Sequence, residues 1–206
     1  MLMPNKYFFS LVILVFIASI FPACTKDNSP LNNSPQHPYY INFDLNGVPQ
    51  SYGAEQAFMG TSYHISHLSP SLENYATDSY VPDSSTSMNA LLSLHFEQHP
   101  ILEADLTGLI GQQLPIKHPM NPYQTCATMH IYHSAGPTEN DLFTERIYND
   151  SSSSFVQIDS VYYHSTLGSG EKVFTISGRF DFVLSRGTVS QTANNGKFRL
   201  LFSEYQ

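Results

Sequence analysis

Apolar and polar residues alternate with a period of two along much of this chain. From Val173 to Leu184, Phe174, Ile176, Phe180, Phe182 and Leu184 take one parity, and Thr175, Ser177, Arg179 and Asp181 take the other. Successive side chains of an extended backbone point to opposite sides, so this spacing predicts a strand with one buried face. Gly178 falls on the apolar parity, where a missing side chain predicts a bulge or a close backbone crossing. Phe198, Leu200 and Phe202 alternate with Lys197, Arg199 and Ser203, which predicts a partner strand after the turn-like Asn194-Asn195-Gly196.

The pattern recurs upstream. Ile41, Phe43 and Leu45 alternate with Asn42 and Asp44, and Asn46-Gly47 then leads into Val48. That dipeptide is a hairpin signal, because both turn positions need positive φ. Phe58 to Leu68 reads as a further, less regular strand, and Ser69 to Ser87 as a long polar loop, either mobile or functional. Met88, Ala90, Leu92, Leu94 and Phe96 predict a central strand that breaks before His99-Pro100. Ile101 to Leu106 reads as a short strand, Gly108 to Gly111 as a turn and 117–122 as irregular chain. Ala127, Met129 and Ile131 mark a strand that stops at Gly136-Pro137. Phe143 to Tyr148 is a further candidate strand, and Ser151 to Ser154 a turn or linker. Val156, Ile158 and Tyr162 share a parity on a strand that turns back at Gly168-Ser169-Gly170.

No window of a dozen residues carries a helical stripe. The expected class is all-β, an antiparallel β-sandwich of about eight to ten strands. A closed lipocalin-like barrel is the alternative, since closure removes exposed edges. Residues 39–206 form a single all-β domain on this reading, with no internal repeat.

The N-terminus breaks the alternation. Lys6 precedes the unbroken apolar run Leu11 to Ala18, and Phe21-Pro22-Ala23-Cys24 follows. This order reads as a signal peptide over 1–23, too short to span a membrane comfortably. An ordinary signal or an uncleaved anchor with an incidental cysteine is one alternative. The placement of Cys24 favours lipid attachment there, with acyl chains holding the protein on a membrane. Residues 24–38 are polar and Pro-interrupted, and read as a lipidated tether. Lys26-Asp27 resembles the short charged signal that directs some lipoproteins to the outer surface. The expected location is therefore an outer-membrane lipoprotein exposed at the cell surface, with a periplasm-facing one as the alternative.

Removing residues 1–23 takes away Lys6 and no acid, leaving eight basic and seventeen acidic side chains and a formal charge of −9. Such a surface repels polyanions, so no nucleic-acid partner is expected. Only Cys24 and Cys126 remain, and acylation of the first would leave no intrachain disulfide. Abundant Tyr and Phe with Ser/Asn/Gly/Pro punctuation agree with the all-β class.

Several of these pieces together resemble an uncharacterised family of Bacteroidota lipoproteins. They are Cys24, the strand and turn from Ile41 to Val48, Ile176-Ser177-Gly178-Arg179-Phe180-Asp181-Phe182, Gly187-Thr188-Val189 and Asn195-Gly196-Lys197-Phe198. The resemblance implies an all-β envelope lipoprotein and carries no catalytic residue.

Histidines, serine and cysteine nucleophiles, carboxylates and tyrosines are the residue types that could carry chemistry. The nine histidines include His64-x-x-His67 and His130-x-x-His133, but residues three apart on a strand point to opposite faces. His95 and His99 share a parity but would lie ~13 Å apart along a strand. No metal site and no cofactor is expected. The chain has no Gly-x-Ser-x-Gly elbow, and Cys126 lies in a strand-like run with no evident base, so no catalytic residue is assigned. Glu97 and Glu103, or Asp159 and Asp181, could be drawn as acid pairs, although the separation that matters is spatial. Tyr39-Tyr40, Tyr52, Tyr63, Tyr75, Tyr80, Tyr123, Tyr132, Tyr148 and Tyr162-Tyr163 would suit glycan or protein contact if exposed, or a β-core and its rim if not.

The leading functional expectation is a non-enzymatic, lipid-anchored surface domain that binds a glycan, peptide or partner protein. A structural or assembly lipoprotein facing the periplasm comes second, and a hydrolase with a site built from loops third. A binder should gather exposed aromatics on one face, whereas an enzyme should show converging ionisable groups in a deep pocket.

Overall fold

Eleven strands and one helical turn make up the fold: β1 (Tyr39–Leu45), β2 (Val48–Ala54), β3 (Phe58–Ile65), β4 (Glu73–Asp83), β5 (Met88–Phe96), α1 (Glu103–Thr107), β6 (Gln113–Pro115), β7 (Cys126–His133), β8 (Leu142–Phe143), β9 (Phe155–Thr166), β10 (Lys172–Arg186) and β11 (Val189–Ser203). The computed structural model describes residues 37–65, 73–83, 87–116, 125–135, 141–143, 154–186 and 189–206. Cys24, the signal and tether up to residue 36, His67 and the segments 117–122 and 144–153 lie outside the described residues.

The architecture is an antiparallel β-sandwich. Hydrogen bonding follows the order β2-β1-β11-β10-β8-β7-β5-β4-β3, with β9 on β10 and β6 on β9. The two-residue β8 is the fold line of this path. It meets β10 only through Ser185–Phe143 and β7 through His130–Phe143 and Ile131–Leu142. On one side of that line lies a front sheet, β2-β1-β11-β10-β9-β6, and on the other a back sheet, β3-β4-β5-β7. Among the described residues β2 and β3 end the path unpaired with each other, so the sheets do not close into the barrel alternative.

The core forms where the alternation predicts it. Ile41 and Phe43, then Phe174, Ile176, Phe180, Phe182 and Leu184, then Phe198, Leu200 and Phe202 are all buried on the front sheet. Ala90, Leu92 and Leu94 face them from β5, with Ala127, Met129 and Ile131 from β7. The Asn46-Gly47 turn takes positive φ at both residues, 50° and 81°, as its hairpin requires.

Register on the front sheet is set by two reciprocal fits. Gly178 pairs with Phe198, and Phe180 pairs with Gly196. A Cβ on Gly178 would lie 2.1 Å from the Gln157 carbonyl oxygen and 2.9 Å from the Phe198 ring, and one on Gly196 would lie 2.4 Å from the Phe180 ring. Each phenylalanine therefore covers the glycine opposite, filling space that a side chain would otherwise take.

Four sequence expectations need correction. Within the loop expected from Ser69 to Ser87, Glu73–Asp83 is an eleven-residue strand, β4. Its inner face carries Thr77 and Ser79, opposite Leu94 and Leu92, so polar residues mask the buried parity. Ile101 to Leu106 is not a strand. Ile101 bridges Tyr205 and the chain then makes α1. The Asp105 carboxylate accepts the Leu102 N–H at 2.8 Å, and Glu204 Oε1 accepts the Glu103 N–H at 2.9 Å, which supplies the partners that start the turn. Asn194-Asn195-Gly196 is not a turn before a strand but an irregularity inside β11, opposite Phe180 and Phe182. Finally, Tyr162 does not share the buried face of Val156 and Ile158. Ser160 faces Ser177 while Ile158 faces Gly178, so Asp159 is an extra residue that flips the parity.

Candidate functional site

The outer parity of the front sheet gathers the exposed, chemically equipped side chains. One row across the sheet runs Tyr40, Arg199, Ser177 and Ser160, and the next runs Ser51, Asn42, Lys197, Arg179 and Gln157. Side chains on these strands are outward because Ile41, Ile176, Gly178, Phe198 and Leu200 occupy the inward parity. Tyr162 stands 67% exposed at one end of this face, on the strand position opposite Thr175. The parity flip at Asp159 is what turns it outward.

The polar groups here are arranged close together. The Ser51 hydroxyl donates to Asn42 Oδ1 at 2.8 Å, and the Ser160 and Ser177 hydroxyls lie 2.5 Å apart. Arg179 Nε sits 3.8 Å from Asp159 Oδ1. Below these rows Asp181 accepts the Asn195 N–H at 2.9 Å, and Asp44 accepts the Asn195 side-chain amide at 3.0 Å. Of the four Lys and Arg residues whose side chains are described, Arg179, Lys197 and Arg199 share this face. The fourth, Lys172, is paired with Glu103, whose carboxylate raises the lysine pKa.

The outer face of the back sheet is different in kind. Ser93, His95, Thr128 and Asn89 lie there buried, and His95 Nε2 is 2.8 Å from the Thr128 hydroxyl. Tyr132 on the same face has its pKa raised by burial, and by the nearby Tyr80 and Asp78, against a lowering hydrogen bond from Asn89. A third feature is an open cleft of about 400 Å³ between the end of β5 and α1, lined by Glu97, Gln98, Asp105 and Gln112 among others. Its polar groups are turned on one another and on the backbone: Gln98 donates to Asp105 at 3.2 Å, and Gln112 to the Gly108 carbonyl at 2.6 Å.

The structure separates two of the three histidine pairs considered in sequence, and His67 with the His64 side chain lies outside the described residues. His130 and His133 sit on opposite parities of β7, with His133 Nδ1 3.9 Å from Asp141. His95 is buried in the back sheet, whereas His99 lies beyond the end of β5, its ring 4.9 Å from those of Tyr75 and Tyr205. Among the described residues no three His, Cys, Asp or Glu side chains are placed to hold a metal ion. Cys126 is buried and forms no disulfide among the described residues. Glu97 stays at the cleft while Glu103 pairs with Lys172. Asp159 and Asp181 flank Arg179 on the front face. Among the tyrosines, Tyr52 is buried and stacked on Phe43, whereas Tyr162 and Tyr163 are exposed.

Sequence reasoning did not single out Arg179, Lys197 and Arg199. Their parity was visible, but their meeting depends on a register that only the Gly178–Phe198 pairing fixes. No protein-family model, curated protein or solved structure matches this chain. The fold and the face together define a β-sandwich domain with a polar, cation-bearing outer face on its front sheet.

Proposed function

We propose that this chain is a non-enzymatic, lipid-anchored domain of the outer cell surface that binds a glycan on the outer face of its front sheet. The supporting observation is Tyr162, an aromatic ring 67% exposed at the end of a face of hydroxyl, amide, guanidinium and carboxylate groups. A sugar ring offers an apolar face for stacking and a rim of hydroxyls that both donate and accept. Tyr162, one row from Ser160 and Ser177 with Arg179 and Asp159 beyond them, meets both needs. Attachment through Cys24 would hold this face at the membrane surface without crossing the membrane.

The test uses cells expressing the full chain, incubated with a panel of fluorescent polysaccharides. At least one polysaccharide is expected to be retained. Tyr162→Ala should weaken retention by roughly tenfold, the scale of one lost stacking contact. Cys24→Ser should remove the binding activity from the cells and leave it in the medium. Cells that retain none of the polysaccharides would sink the glycan reading, and unchanged retention by Cys24→Ser would sink the anchor.

A further inference from the structure

We propose that the ligand of the front face is a largely neutral glycan carrying isolated anionic groups, and that Arg179, Lys197 and Arg199 together seat one such group. The inference rests on the glycan reading above and names its ligand class.

The observation behind it is a placement that the fold itself does not need. Arg179 and Lys197 are direct cross-strand partners on one face, and Arg199 is the next residue of that face along β11, ~7 Å away. Like charges set directly opposite destabilise a sheet. With seventeen acidic residues against nine basic ones, the chain has acids in plenty, yet none stands opposite Arg179 or beside Arg199 on β11. Among the described residues Lys197 and Arg199 have no ion-pair partner, and Arg179 reaches only Asp159, at an exposed 3.8 Å where water screens the attraction. Asp44 and Asp181 are the other acids close by, and both accept hydrogen bonds from Asn195. An anion bridging the three cations would relieve their mutual repulsion. The planar guanidinium of an arginine matches the oxygen pair of a carboxylate or sulfate.

Charge also limits the ligand. The whole chain carries a formal −8, which repels densely charged polymers from a distance. At physiological salt that field fades over ~8 Å, so a single anionic group set among neutral sugars meets mainly the local cations. A protein partner fits less well, since this face has no apolar centre of the kind interfaces bury. Tyr162 stands at its end on the row of the buried Leu201, Tyr40 stands at one side, and the rest of the two rows is Ser, Asn, Gln and charged residues.

The experiment measures binding of the purified full chain in mild detergent to four polysaccharides and one polypeptide. These are xanthan, whose neutral backbone bears carboxylated side chains, the same xanthan with its carboxyls reduced to alcohols, the sulfated κ-carrageenan, uncharged dextran, and polyglutamate. Binding to xanthan or to carrageenan is expected, and which of them binds identifies carboxylate or sulfate as the group. Where xanthan binds, carboxyl reduction should weaken it by about tenfold, the effect of losing one charge-assisted contact. Lys197→Glu should weaken binding at least as much while leaving the melting temperature equal or higher, because it replaces a like-charge pair with an opposite one. Arg199→Gln serves as the second variant and should give a smaller loss in the same direction. Equal affinity for native and reduced xanthan, with Tyr162→Ala still weakening both by about tenfold, would overturn this inference and leave the glycan reading standing. Polyglutamate bound as tightly as any glycan would overturn both in favour of an acidic polypeptide. Undiminished binding by Lys197→Glu would also overturn the assignment of these cations.

Discussion

The Phe180–Gly196 contact allows a quantitative test of how the front sheet is held in register. The Phe180 ring is 2% exposed and packs against three other rings, with centroids 5.9 Å from Phe43, 4.7 Å from Phe182 and 6.5 Å from Phe198. Truncation to alanine should cost ~3–5 kcal/mol, the range for a buried phenylalanine. Gly196→Ala places a methyl carbon 2.4 Å from that ring, which has aromatic neighbours that limit any swing away. Overpacking of this kind costs ~1–3 kcal/mol. Gly196 is not among the positive-φ residues, so the cost is steric rather than a matter of backbone preference. In the double variant Phe180→Ala/Gly196→Ala the added methyl enters the space the ring has left. The combined loss should therefore stay near that of Phe180→Ala alone, giving a coupling of ~2 kcal/mol. Urea unfolding of the four proteins measures it, provided the slopes agree. Losses that add to within ~0.5 kcal/mol would refute the reciprocal fit.

Two further outcomes follow from the interior. Burial, with the charge of Asp83, raises the Tyr52 pKa to about 12 from a usual 10.0. The neutral phenol is thus favoured in the folded state, and the associated stability is complete below pH ~10 and lost as pH rises through about 12. Alkaline denaturation should remove ~2–3 kcal/mol over that window, and Tyr52→Phe should abolish that part of the pH dependence. A curve that is unchanged in Tyr52→Phe would exclude the phenol as its source. Thr77 is fully buried, and its hydroxyl has no hydrogen-bond partner among the described residues. Thr77→Val keeps the shape and removes the orphan group, so thermal unfolding should show no loss and up to ~1–2 kcal/mol of gain. A loss above ~1 kcal/mol would show that the hydroxyl is bonded after all.

The parts of the fold that could be read from sequence are those whose buried parity is apolar. β1, β5, β7, β10 and β11 announce themselves through residues such as Phe43, Leu92, Met129, Phe174 and Leu200, because desolvation drives those side chains inward wherever the backbone is extended. β4 is hidden for the converse reason: Thr77 and Ser79 occupy inward positions, and alternation of polar with polar leaves no signal. Tyr162 leaves its expected face because a single extra residue, Asp159, reverses the side chains that follow it, and nothing in the residue types marks a bulge there. The outward turn of Tyr162 was thus hidden by the same event that creates it.

The cation cluster depends on register in a way that magnitudes decide. Sliding β11 by two residues in one direction would set Lys197 opposite Ser177 and Arg199 opposite Thr175, relieving the like-charge pair without moving any apolar side chain off the buried face. The same slide would set Gly178 against Gly196 and Phe180 against Asn194, leaving two glycines uncovered and two rings without their sites. Sliding the other way would bring Lys197 to Asp181, but would set Arg179 against Arg199 and the Phe180 ring against Phe198. An exposed charge pair is worth ~0.2–1 kcal/mol, whereas misplacing a buried ring costs several. The aromatic–glycine fit therefore dictates the register, and the opposed cations follow from it. A substitution as simple as Lys197→Glu would remove the repulsion without disturbing the core. The packing beneath would accept either charge at position 197, so the repulsion between Lys197 and Arg179 is a property of the exposed face alone.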